Sequence, residues 1–200
     1  MEEARVTSTG RRLLRREERQ ASIIRGAAAA FARTGFAATS MDDVAEACGV
    51  SRLILYRNFD SKEDLYRAIL QKVFDRHAEE FVAALERADG RGIGFRSLLT
   101  VAREHPDGFH LLWRHAAREP QFAEYAHEFR SLAVGAAASL LALDTGDAVL
   151  DRWTAETVYS WLVESVLTWL EVGDPAKDEV ATTRATESLR AVVAALRLRA

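Results

Sequence analysis

The chain has 200 residues, 48% of them apolar and 28% charged, which excludes a disordered or linker protein and supports a substantial core. Its formal net charge of −3 gives no global sign of a nucleic-acid partner. The single cysteine, Cys48, can build neither an internal disulfide framework nor a thiolate metal cluster, so the expectation is a cytoplasmic chain with no metal and no cofactor. No apolar leader follows the opening Met-Glu-Glu-Ala-Arg, and the greasiest stretch, residues 153–172, carries Glu156, Glu164 and Glu171, so no membrane partner is expected.

Pro106, Pro120 and Pro175 all sit where a helix can begin, and no alternating β-branched run occurs. The pattern predicts an all-α chain of about nine helices. The first is expected over 17–34, with Ile24, Ala27, Ala28 and Phe31 on one face and Gly35 ending it. In that cap Phe31 and Phe36 occupy the positions that touch in a Schellman motif. Ser40 caps a second, short helix that ends near Cys48, with Asp43 at the favourable end of the dipole. Gly49 supplies a turn, Ser51 caps a third helix reaching about Asn58, and Ser61 with Asp64 opens a fourth, ending near Ala88. Further helices are expected over 93–104, 106–118, 120–143, 147–172 and 175–197.

Two short helices joined by a glycine-containing turn form either an ordinary antiparallel pair in a bundle or a helix-turn-helix that presents its second member. Ala45 is small where the pair crosses, and Val44, Cys48, Val50 and Leu55 can fill the space between the helices.

From Gly35 to Leu70 the string GFAATSMDDVAEACGVSRLILYRNFDSKEDLYRAIL resembles the DNA-binding region of the TetR family of tetracycline-repressor-like regulators. Its carriers are Gly35-Phe36, Thr39-Ser40-Met41, Val44-Ala45, Gly49-Val50-Ser51, Leu55-Tyr56, Phe59 and Ser61-Lys62-Glu63. The resemblance covers roughly the first third of the chain. It implies an amino-terminal three-helix DNA-binding domain, here 17–62, and a larger helical body, 63–200, that holds an effector and pairs with a second copy. It implies that helix 51–58 enters the major groove, and Tyr56, Asn58 and Lys62 match positions that touch the DNA backbone. Leu53-Ile54 departs from the small-then-hydroxyl pair of many members: either residue can meet a thymine methyl or pack inward, with Ile54 favoured inward. Ser51, Arg52, Tyr56, Arg57, Asn58 and Lys62 offer donors suited to phosphates and base edges, Arg52 best to guanine. Thr39, Ser40 and Lys62 lie near helix N-termini, where backbone N–H groups can bind phosphate.

Residues 1–16 are expected to form a flexible basic arm. Its Arg11, Arg12, Arg15 and Arg16 either are merely solvated or reach phosphates and a minor groove. The near-neutral total hides an asymmetry: residues 1–60 sum to +2 and residues 61–200 to −5.

In the body, Phe109 to Phe129 is rich in rings, most of them expected in the core. Trp113, Phe122, Tyr125, Phe129 and Trp161 are the candidates for an effector pocket, which the resemblance favours. Helix 147–172 is apolar on nearly all sides. Its Trp153, Val158, Leu162, Val166 and Trp169, with Leu189, Val192, Val193 and Leu196 of the last helix, either form a twofold four-helix interface or close the subunit's own core.

An enzyme is disfavoured, because the five histidines lack i, i+4 spacing and neither a phosphate-cradling loop nor a nucleophile elbow is present. The expected function is a homodimeric repressor of a palindromic duplex operator, released by a small apolar or aromatic effector that shifts the spacing of the recognition helices. The fourth helix is the expected lever. The alternative is a DNA-binding dimer without a small-molecule ligand, controlled by a partner protein or acting as an activator.

Overall fold

A computed structural model of the protein describes residues 2–87, 92–143 and 145–196, with side chains from Arg16 onward. The fold is all-α, with nine α-helices and no strand among the described residues. They are α1 (Glu2–Thr34), α2 (Met41–Ala47), α3 (Arg52–Tyr56), α4 (Lys62–Glu86), α5 (Ile93–Glu104), α6 (Pro106–His110), α7 (Ala123–Leu141), α8 (Ala148–Val172) and α9 (Asp178–Leu196). The helix expected from residue 17 begins at Glu2, so the structure continues α1 through the segment read as a flexible arm. The helix expected over 106–118 is broken into α6, a π-helical turn Leu111–His115 and a 3-10 turn Ala116–Arg118.

The chain divides into two compact units, Met1–Lys72 and Val73–Ala200. The boundary falls ten residues beyond the 62/63 division read from the sequence, because Leu65, Tyr66, Ile69 and Leu70 of α4 are all buried in the first unit. In that unit Tyr66 meets Phe31 and Phe36 edge-on, with ring centroids 5.2 and 5.1 Å apart, and Phe31 stacks on Phe36 at 5.8 Å. Gly35, at φ +81°, donates its N–H to the Phe31 carbonyl at 2.8 Å, which is the bond of an αL cap.

The second unit is built on α8. Its Val158, Leu162, Val163, Val166 and Leu167 are buried, as are Phe95, Leu98 and Leu99 of α5 and Phe129 and Val134 of α7. Helix α9 is fastened by charge. Arg103 forks onto Asp178 at 3.1 and 2.9 Å, and the same carboxylate accepts from Trp169 Nε1 at 2.6 Å. These bonds hold Asp178 below the usual carboxylate range, against the opposing effect of burial.

The turn between α2 and α3 depends on Gly49, whose φ of +63° lies in the left-handed region, with nothing within 4 Å of where a Cβ would stand. The cost of a side chain there is therefore conformational and not steric. Gly49→Ala is expected to destabilise the chain by about 1–2 kcal/mol, with Gly49→Asn losing less because Asn tolerates that region. Urea unfolding of the two variants checks this, and equal losses would contradict it.

Candidate functional site

In the first unit, Ser40 and Asp43 make a complete capping box at α2: Ser40 donates its N–H and hydroxyl to Asp43 Oδ2 at 2.8 and 2.6 Å and accepts from the Asp43 N–H at 3.1 Å. Bonds from the Ser40 side chain and then its backbone hold the Asp43 carboxyl below its ordinary range. The Val50 N–H reaches the Ala45 carbonyl at 3.0 Å across the turn. Ser51 caps α3, accepting from the Ile54 N–H at 3.3 Å, and Leu55 is wholly buried beneath it. One anchor thus presents Ser51, Arg52, Leu53, Tyr56 and Arg57 as an exposed face, with Leu53 62% exposed and Ile54 half-buried.

Arg52 donates to Asp42 Oδ2 at 2.9 Å and lies over the Tyr56 ring, 5.5 Å from its centroid. Both charged partners are mostly exposed, so the pair is weakly held and the carboxylate is readily exchanged for a base edge. Arg16 is exposed on α1; the side chains of Arg11, Arg12 and Arg15 lie outside the described residues.

Three of the residues read as DNA contacts are engaged inside the unit. Thr39 is buried, with its hydroxyl donating to the Gly35 carbonyl at 2.6 Å and bonded to Thr34 Oγ1 at 2.7 Å. Asn58 donates its amide to the Ile54 carbonyl at 2.7 Å. Lys62 donates to the carbonyls of Phe36 and Thr39 at 2.9 and 3.0 Å and sits 4.3 Å from the Phe36 ring centroid. Its ammonium ties the loop between α1 and α2 to the start of α4, where a phosphate contact was expected. Long-range carbonyl partners of this kind leave no mark in local sequence.

The second unit contains a cavity of about 270 Å³. Its walls are α4 (Phe74, His77, Phe81), α5 (Gly94, Leu98), α7 (Ala133, Ala136, Ala137) and α8 (Val158, Tyr159, Leu162), with Leu189 of α9. None of the five ring residues proposed from sequence lines it. Phe122 and Phe129 are buried, Phe129 stacking on the lining Phe74 at 4.0 Å and meeting Tyr125 at a tilt, 4.4 Å between centroids; Trp113 touches Tyr159 and His77; Trp161 faces an open groove between α8 and α9. Large rings fill space, and the cavity arises where the alanines of α7 leave it, while Gly94 makes room for Leu162. The alanine run of α7, at 133, 136 and 137, was the available signal.

The stripe expected to form a twofold interface is likewise divided. Val158, Leu162, Val166 and Val193 are buried within the unit, Val158 and Leu162 against the cavity. Trp169 and Leu196 are half-buried, as is Leu189 beside the cavity, whereas Trp153 is exposed and Val192 marginally so. An all-round apolar helix gives no periodicity that separates its own core from a partner's.

A model of the bacterial regulatory proteins of the tetR family matches residues 23–69, from the middle of α1 into α4. Residues 23–69 thus carry the tetR-family DNA-binding signature. The chain is similar to the HTH-type transcriptional activator FasR of Mycolicibacterium smegmatis, 29% identical over 172 residues that cover 81% of this chain and 77% of FasR. It is also similar to the HTH-type regulator TtgR of Pseudomonas putida, 38% identical over 61 residues, 30% of this chain and 29% of TtgR. Among solved structures, a tetR-family regulator from Streptomyces coelicolor superposes with a TM-score of 0.64 at 26% identity, covering 90% of this chain and 82% of that one. One from Bordetella parapertussis shares the fold at TM-score 0.70 and 22% identity, covering 85% and 93%. These relatives are DNA-binding transcription regulators and not enzymes. No helix of this chain, among its described residues, is long and apolar enough to cross a membrane.

Two outcomes are expected. Lys62→Ala should lower stability by about 2 kcal/mol, through loss of charge-assisted bonds to two carbonyls, while leaving the salt dependence of DNA binding unchanged; a flattened salt slope at unchanged stability would restore the phosphate role. Burial pushes the His77 imidazolium down to about 4 from 6.5. Below pH 6.5 the unfolded chain binds the proton that the folded chain refuses, so stability is full at pH 7 and declines toward pH 4 by about 3 kcal/mol. His77→Phe should remove that part of the decline in urea unfolding at pH 7 and 4.5.

Proposed function

We propose that the chain is a homodimeric regulator whose two α3 helices read a palindromic operator, and that it acts as a repressor released when a small apolar effector fills the cavity of the second unit. What carries the reading is the exposed face of Ser51, Arg52, Tyr56 and Arg57, held out by the buried Leu55. These side chains supply hydroxyl and guanidinium donors for phosphates and base edges, and Arg52, held by a solvated carboxylate and the neighbouring Tyr56 side chain, can fork onto guanine. Exposed Ser40 and the arginines at 11, 12, 15 and 16 add backbone contacts, whose strength falls with salt. Residues 17–72 form the DNA-binding unit in this reading, and residues 73–200 the effector and pairing unit.

Pairing falls to the exposed apolar side chains that remain on α8 and α9, Trp153, Val172 and Val192, together with the groove of Trp161 and Trp169. Effector binding favours a different separation of the two α3 helices, and α4, which runs from the first unit into the second, passes the change on. A second reading is activation from the same dimer and operator; the similarity to FasR, named an activator, favours it.

Selection of bound sites from random DNA is expected to return a palindrome with half-sites about 34–36 Å apart. Arg52→Ala should cost about 1–3 kcal/mol and relax the preference at one base per half-site, leaving the other positions as they were. A monomer in analytical ultracentrifugation at micromolar concentration, or a selection without palindromic order, overturns the proposal.

A further inference from the structure

The cavity is lined by no Lys, Arg, Asp or Glu side chain; its polar members are His77, Ser97 and Tyr159. The Ser97 hydroxyl is taken up by the Ile93 carbonyl of its own helix. Tyr159 is only 4% exposed, and its hydroxyl has no hydrogen-bond partner in the protein. Beside it stands Trp113, edge-on with ring centroids 5.6 Å apart, whose buried Nε1 also lacks a partner; these are the two such side-chain atoms among the described residues. Trp113 belongs to the π-helical turn Leu111–His115, a rare geometry frequent at functional sites. Two neighbouring buried donors left unmade are costly to a fold unless something else uses them.

The chemistry of that something is constrained. Of the two capacities of the Tyr159 hydroxyl on the cavity wall, an unmade donor is the rarer and costlier to leave in a fold, so a group that serves it must accept. A carboxylate or phosphate would find no free cation on the lining, since burial keeps His77 neutral near pH 7 and Arg130, 5.9 Å from the Tyr159 ring centroid, is already bonded to Glu156 at 3.1 and 2.9 Å, so it would lose its hydration uncompensated. Benzene occupies a cavity of about 150 Å³, so by proportion this one suits on the order of a dozen non-hydrogen atoms. We infer that the effector is a compact, uncharged, mostly apolar molecule with a single accepting oxygen, a ketone, ester or ether, seated so that the Tyr159 hydroxyl donates to that oxygen. The inference rests on the reading of the cavity as the effector site.

Calorimetric titration of the full chain with 1-tetralone, tetralin, tetralin-1-carboxylate and decanoate tests it. Tetralone should bind at least tenfold more tightly than tetralin, and the two carboxylates more weakly than either. Tyr159→Phe should abolish the tetralone advantage, leave tetralin unchanged, and melt at the same or a higher temperature without ligand, because the unpartnered hydroxyl is gone. Should Tyr159→Phe fail to fold, the comparison of tetralone with tetralin in the parent chain still decides the matter. Equal affinity for tetralone and tetralin in the parent chain, as when a water serves Tyr159, overturns the inference and leaves the cavity an effector site. So does tightest binding by either carboxylate. If none of the four binds at millimolar concentration or raises the melting temperature, the effector reading falls together with the inference.

Discussion

A helix of five residues cannot sustain itself in water, because nucleating the first turn costs more than so few bonds return. Helix α3 persists because its surroundings hold it at three points: the Ser51 cap, the wholly buried Leu55, and the turn closed by the bond from Val50 to the Ala45 carbonyl. Everything α3 presents to DNA inherits its position from these three. Lys62 adds a fourth restraint at one remove, fastening the loop that leads into α2 to the first turn of α4. The recognition face is therefore rigid where it is anchored and free only in its long side chains, which suits a surface that must meet fixed base edges without first ordering itself.

The second unit solves a different problem. Its core is assembled on α8, and the bonds from Arg103 and Trp169 to Asp178, with Arg96 on Glu179, secure α9 alongside its modest apolar stripe. Packing of this kind is ordinarily dense, so a cavity of about 270 Å³ is a departure from it. It lies where small side chains of α7 face α8, with Tyr159 and Trp113 holding unmet donors beside it. An apolar hollow with a few placed polar groups is the usual form of a small-molecule site.

The amino-terminal third was legible because its signals are local. Ser40, Ser51 and Ser61 announce helix starts through hydroxyls that serve N–H groups three residues on, and Gly35 and Gly49 mark turns that need a left-handed backbone. Such rules act over a single turn of chain, so the sequence alone sufficed for α2, α3 and the start of α4. The motif residues of that stretch carried the family as well.

What the sequence by itself determined, then, was the all-α class, the order of the helices and the two short helices of the helix-turn-helix. Tertiary structure decided which donors remain outward. Thr39, Asn58 and Lys62 have the right chemistry for phosphate, yet each is turned to a carbonyl, two of them at a separation of more than 20 residues for Lys62. It also decided the cavity, which follows from how α4, α5, α7 and α8 fit together and hence from the absence of bulk at particular alanines, something no list of aromatic residues discloses. Local bonding is written in adjacent residues; the space left between helices is written only in their packing.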